Sequence, residues 1–361
     1  MTRAPLLLAF AIGGCSVFPD QLPAAPESDG GISAEASFTD GALSGCAGDA
    51  CPKATRLVAD ANGHRALALA GPAIAWSSLE DGYSIYFCND TPCTAKKHDV
   101  GPACGGSPAK SPVLTGFLAA SGGRFYITNA WCAWLSKLDP VNPSQDNAYI
   151  GKAVSPIRII ADPSGAFVTS SDNALTPPER SITRVPTEAL GGSNPETLPS
   201  TRSEAFAGET VVPWAISATK IAWFEITGTT FSIRGCGRDL AQCDTIVNAI
   251  EGVPRAISIT DGALYFAYST VSNATLASRT EWTRGAPNII ATAATVGALT
   301  VDTTYLYWTA DHTIFRCSLS SQCAPTPIGT LASAASFAGV SPERNALILL
   351  ATDGLYSLPL P

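Results

Sequence analysis

Eleven cysteines and three histidines carry most of the reactive chemistry available to this 361-residue chain. Eight of the cysteines form close pairs: Cys46/Cys51, Cys88/Cys93, Cys236/Cys243 and Cys317/Cys323. Cys104 and Cys132 lie apart from these, and Cys15 stands near the N-terminus. Close thiols either hold zinc or close a disulfide. Zinc favours two C-x₂-C pairs, or cysteines combined with histidines. Here the gaps within pairs are four, six and five residues, and the histidines (His64, His98, His312) do not cluster with them. Setting Cys15 aside leaves an even ten. The pattern predicts oxidised pairs. Each small loop would stabilise the fold by ~2 kcal/mol in the chain-entropy picture.

Acid–base chemistry has few candidates. The chain contains no G-x-S-x-G, H-E-x-x-H, Walker A or complete EF-hand loop. Asp60-Ala61-Asn62-Gly63 begins like a calcium loop and breaks off. No cofactor and no metal is expected. Charged residues are 14% of the chain, the formal net charge is -8, and lysines number seven. Lys96 and Lys97 adjoin each other without a wider basic patch. A nucleic-acid groove needs clustered cations to neutralise phosphates, so nucleic acid is excluded as a partner.

Three of the cysteine pairs share a context. Ala73–Cys93, Lys220–Cys243 and Tyr305–Cys323 each run through an apolar triplet, a polar turn and a short alternating run to two cysteines. The triplet recurs seven times, ending at Trp76, Ile127, Val168, Trp223, Phe266, Trp308 and Leu349, at intervals of 51, 41, 55, 43, 42 and 41 residues. A turn precedes each triplet and a short apolar stretch precedes that turn. Four short strands per unit at this period predict an all-β fold, a seven-bladed β-propeller, with six blades plus an insertion as the alternative. The triplets are the second strands, buried on both faces and so continuously apolar. The last unit ends on its third strand, "GLYSLPLP". The missing strand is expected at Thr55–Val58, so that an N-terminal strand completes the last blade and closes the ring.

The N-terminus reads "MTRAPLLLAFAIGGCS". The apolar run Ala4–Ile12 is too short to span a bilayer and suits a signal peptide. Ile12-Gly13-Gly14-Cys15 resembles the bacterial lipobox. That resemblance implies lipidation of Cys15, removal of residues 1–14 and a bacterial cell-envelope location. Ser16 after the cysteine favours the outer membrane. The membrane is then reached through the N-terminal lipid. Residues 15–45 read as a lipidated start and a disordered tether, and residues 46–361 as the propeller domain, expected to be monomeric.

Tyr307-Trp308-Thr309, with Asp311 one residue late, resembles the YWTD-type propellers of lipoprotein-receptor ectodomains. "TIFRCSL" resembles the third strand of that family. The match covers one blade well and the "IAW" blades loosely, and the family has six blades. A likeness also extends to bacterial surface lipoproteins with cysteine-bearing propeller repeats and no assigned role. The resemblance implies the fold and protein or ligand binding, and supplies no catalytic residue.

In such a fold the loops between second and third strands share a face with the blade-to-blade connections. Cys104 and Cys132 both fall on that face, which supports a bond between them. Asp81, Trp131, Glu225, Arg255, Asp311 and His312 also fall there and are the candidate ligand-binding residues. The leading expectation is a non-catalytic module binding an envelope protein, peptide or glycan through this face. A propeller lyase or glycan hydrolase, using Glu225, Asp311 and His312 at the axial channel, is one alternative. A structural subunit of an envelope complex is the other.

Overall fold

Continuous apolar runs alternate with half-polar ones along the chain, and this alternation builds the sheets. In the computed structural model the described residues are 51–59, 64–78, 84–99, 117–129, 134–141, 145–149, 155–162, 165–172, 179–186, 203–205, 211–240, 243–279, 282–293, 295–320 and 323–360. All belong to one compact unit, Thr39–Pro361. The expected signal peptide and tether, with Cys15, Cys46, Asp81, Cys104, Trp131 and Cys132, lie outside the described residues.

The described residues form strands and turns, without a helix. After β1 (Thr55–Ala59), sheet 1 is β2 (His64–Ala70), β3 (Ala73–Ser78), β4 (Ser84–Cys88) and β5 (Lys96–Asp99). Sheet 2 is β6 (Phe117–Ser121), β7 (Arg124–Asn129), β8 (Trp134–Leu138) and β9 (Gln145–Tyr149). Sheet 3 is β10 (Ser155–Asp162), β11 (Gly165–Asp172), β12 (Glu179–Pro186) and β13 (Ser203–Ala205). Sheet 4 is β14 (Val211–Ile216), β15 (Lys220–Thr227), β16 (Thr230–Gly237) and β17 (Asp244–Glu251). Sheet 5 is β18 (Val253–Ile259), β19 (Leu264–Ser269), β20 (Ala274–Arg279) and β21 (Asn288–Ala293). Sheet 6 is β22 (Leu299–Val301), β23 (Tyr305–Ala310), β24 (Thr313–Ser318) and β25 (Thr326–Thr330). Sheet 7 is β26 (Ala335–Ser341), β27 (Ala346–Ala351) and β28 (Gly354–Pro359), with β1 beside β28. Every pairing between neighbouring strands within these sheets is antiparallel.

All seven apolar triplets lie on the second strand of their sheet. The reason they are continuously apolar is visible in their packing. Successive side chains of a strand point to opposite faces, and here each face meets a different neighbouring sheet. In β15, Ile221 and Trp223 pack with Phe167 of sheet 3, whereas Ala222 and Phe224 pack with Phe266 of sheet 5. In β23, Leu306 and Trp308 join the cluster shared with sheet 5, and Tyr307 joins the one shared with sheet 7. In β3, Ile74 and Trp76 pack against sheet 7, and Ala73 and Ala75 against sheet 2. β27 is buried at all six positions for the same reason. Outer strands have only one buried side: β21 is exposed or half-buried throughout.

First strands neighbour one another in succession, β2 to β6, β10, β14, β18, β22 and β26, and β26 in turn neighbours β2. Five of the seven carry a register shift near their start: β2, β10, β14, β18 and β26. A bulge of this kind raises local twist and re-aims one side chain.

The N-terminal strand sits where the sequence placed it. β1 pairs with β28, Thr55 opposite Ser357 and Ala59 opposite Gly354. Arg56 donates from Nη2 to the Asp353 carbonyl at 2.5 Å, and its Nη1 lies 3.9 Å from Asp353 Oδ2. Three disulfides close in the predicted pairing: Cys88–Cys93, Cys236–Cys243 and Cys317–Cys323. Cys51 is buried and also disulfide-bonded.

Candidate functional site

The first strands supply too few large side chains to fill the space they surround. A cavity of about 940 Å³ remains there. Its walls come from the first strands of six sheets: Leu67 and Leu69 on β2, Ala120 on β6, Ile216 on β14, Ile259 on β18, Val301 on β22 and Val340 on β26. Thr300 adds a short side chain to the wall and Gly339 its bare backbone. Most of these wall residues are half-buried, with the apolar wall partly open to solvent.

One end of the cavity is framed by turns between first and second strands. Ser217 and Ala218, Thr260 and Asp261, Asp302 and Thr303, and Pro342 come from four such turns. Asp261 and Asp302 are the charged residues of this lining; among the described residues it contains no basic and no aromatic side chain.

Both carboxylates are held in place. Asp261 Oδ1 accepts from Ser217 Oγ at 2.6 Å and from the Thr219 amide and hydroxyl, each at 2.9 Å. These donors belong to the turn of the preceding sheet. The Ser217 bond and then the Thr219 amide hold the Asp261 carboxyl below the usual aspartate value. Trp282 Nε1 donates to the Asp261 carbonyl at 3.0 Å. Asp302 works within its own turn. Oδ1 accepts from the amides of Thr304 and Tyr305 at 2.6 and 2.7 Å, and Oδ2 from the Tyr307 phenol at 3.0 Å. Burial, and then that bond to Asp302, push the Tyr307 phenol well above its ordinary range, so it remains a donor.

A second, smaller cavity of about 450 Å³ lies beside the Cys236–Cys243 loop and is lined by Lys220, Asp239, Asp244 and Trp282. Lys220 Nζ sits 5.6 Å from the centre of the Trp282 ring, so that ring face already carries a cation.

No family model and no curated protein matches the chain. Among solved structures it is similar to a chain of Kuenenia stuttgartiensis hydrazine synthase. The identity is 13%, 83% of this chain and 96% of that chain are covered, and the TM-score is 0.58. At that identity the likeness is one of fold.

The candidates read from sequence fall elsewhere. Glu225 is on β15, only 14% exposed, with Arg234 Nη1 at 3.5 Å and Trp223 Nε1 donating at 3.4 Å. Arg234 also lies over the Trp223 ring at 5.7 Å, so Glu225 anchors an internal cluster. Arg255 is the residue passed over in the β18 register shift; it is exposed and donates from Nε to Ser269 Oγ at 3.0 Å. Asp311 occupies the β23–β24 turn at φ 51° and accepts from Thr295 Oγ1 at 2.8 Å. His312 is exposed beside it, its carbonyl taking the Leu331 amide at 2.8 Å. None of the four lines either cavity. Asp311 and His312 belong to a turn between second and third strands, whereas the cavity is framed by turns between first and second strands. The sequence signal for the residues that do frame it is modest: "SATK", "TDGA" and "DTTY" each precede a triplet and signal a turn alone.

Proposed function

We propose that the sheets are the blades of a seven-bladed β-propeller closed by β1, and that the molecule is a non-catalytic binding module. Its site is the axial cavity, and a segment of peptide or protein enters from the end framed by Asp261 and Asp302. The observation that carries this reading is the cavity of about 940 Å³, walled by first strands of six sheets. The cyclic succession of first strands and the fold likeness to hydrazine synthase support the propeller. Burying one leucine-sized side chain against such a wall contributes about 2 kcal/mol, enough to anchor a segment. A glycan usually stacks on aromatic rings, and the described lining offers none. The three oxidised pairs support an exported protein. The envelope location and the lipid on Cys15 belong to the same proposal.

The test uses the full-length protein and a Thr300→Trp variant. Thr300 lines the cavity and is half-buried, so an indole at this position reduces the space open to a ligand. Both proteins are used to capture partners from envelope extract. A stoichiometric partner held by the wild type and lost by the equally stable variant supports the cavity. A partner retained by both removes the site to another surface. An altered sugar or small molecule in place of a partner transfers the weight to an enzyme.

A further inference from the structure

Resting on that reading, we infer that the cavity selects a cationic amphiphilic segment: an aliphatic side chain seated among Leu67, Leu69, Val301 and Val340, flanked by lysine or arginine at the Asp261 and Asp302 rim. Three observations converge on this class. The wall is aliphatic and half-exposed, so it gains by taking up an apolar side chain. The charged groups of the described lining have one sign: Asp302, and Asp261, which already feels the Arg238 guanidinium that donates to the rim carbonyl of Ala218 at 2.6 Å from just outside the lining. Both carboxylates are oriented before any ligand arrives, Asp261 by donors from the preceding sheet and Asp302 by its own turn and Tyr307. An oriented anion loses little freedom on meeting a cation. The net charge of -8 adds a field that draws cations in and repels acidic segments.

Depth fixes the order of groups. Asp261 and Asp302 sit in turns at one end, while the aliphatic residues lie along the strands. An occupant therefore places its apolar group inward and its charges at the mouth. A segment in which a leucine stands between two lysines meets both demands. A lysine pushed inward does not, because its ammonium would end against the aliphatic wall.

The probe is the blocked pentapeptide Gly-Lys-Leu-Lys-Gly, titrated calorimetrically into the full-length protein. Its controls replace both lysines by glutamine or by glutamate, or the leucine by glycine; hexylammonium is the small-molecule control. The lysine peptide is expected to bind best, to weaken at high salt, and to lose affinity when the leucine is removed. Asp261→Asn keeps an oxygen acceptor for Ser217 and Thr219; Asp302→Asn keeps one for the Thr304 and Tyr305 amides and sets its NH2 against the Tyr307 hydroxyl, which turns to accept. Each is expected to weaken it by about threefold, while leaving the glutamine peptide unchanged. Equal binding of the glutamine or glutamate peptide overturns the charge class and leaves the cavity reading standing. Hexylammonium binding as tightly as the peptide overturns a polypeptide occupant. Absence of binding by every probe overturns the inference, and the Thr300→Trp capture then reports separately on the cavity.

Discussion

The guanidinium of Arg344 and the main-chain carbonyl of Asp90 meet at 3.0 Å although 254 residues separate them. The same side chain donates from Nε to the Pro72 carbonyl at 2.8 Å and from Nη1 to Thr91 Oγ1 at 3.1 Å. Arg344 thus ties the β26–β27 turn of sheet 7 to two turns of sheet 1. Arg344→Ala is expected to lower stability by about 1–2 kcal/mol, read as a lower urea midpoint. An unchanged midpoint would mean that the apolar cluster around Trp76 and Ile348 alone holds that junction.

Gly354 stands at φ 154°, opposite Ala59, and a Cβ there would run into the Val58 carbonyl. Gly354→Ala should therefore spread β1 from β28. Amide exchange in 55–59 should accelerate more than exchange in β27, whose six residues are buried. Equal acceleration in both strands would show that β1 and its sheet open together.

Acid should selectively remove the contribution of Asp261. Its folded-state pKa lies below the ordinary 3.8, through the Ser217 and Thr219 bonds. A depressed carboxylate stabilises the fold above its unfolded pKa, and that contribution disappears as pH falls through the folded value. Wild type is thus expected to exceed Asp261→Asn in urea midpoint at pH 7, with the gap closing as the pH falls below the ordinary aspartate value of 3.8. A gap that stays constant with pH would assign the difference to hydrogen-bond geometry instead.

Replacing Cys317 and Cys323 together by alanine should cost ~2 kcal/mol, with little effect on the cavity, since neither cysteine lines it. Thermal unfolding and peptide titration of the same variant separate the two effects. A large loss of binding would show that the β24–β25 loop, whose own Leu319 lines the cavity, takes its binding conformation from this disulfide.

Cys15→Ser tests the proposed anchor. The variant is expected in soluble fractions while the wild type sediments with membranes. Retention of the variant in membranes would sink the lipid assignment.

The second strands were legible because burial on two faces leaves an unbroken apolar run, as in "LYW" ending at Trp308 and "LIL" ending at Leu349. The pairing of β1 with β28 was legible because the last repeat lacked a fourth strand. The cavity was not. Leu67, Ile216 and Val301 are ordinary strand residues, and only the gathering of first strands turns them into a wall. Arg255 falls at a register shift and bonds Ser269, which a period-2 reading cannot show. Glu225 looked like a loop-end carboxylate and is instead the partner of Arg234 and Trp223. Asp261 was passed over because an aspartate before glycine signals a turn, whereas its donors come from a turn 42 residues earlier.

The second strands β3, β15, β19, β23 and β27 each divide their side chains between two neighbouring sheets, so these sheets have no interior of their own. A sheet cut from the chain would keep its hydrogen bonds and lose both partners of its apolar strand. Losing one residue from β23 would also exchange the two sets, sending Trp308 toward the side that now holds Tyr307. Single-residue insertions and deletions should therefore be confined to turns and outer strands. Substitutions in second strands should be rescued by changes in the adjoining repeat, some 40 residues away in sequence. For this protein the heritable unit of packing is the seam between repeats.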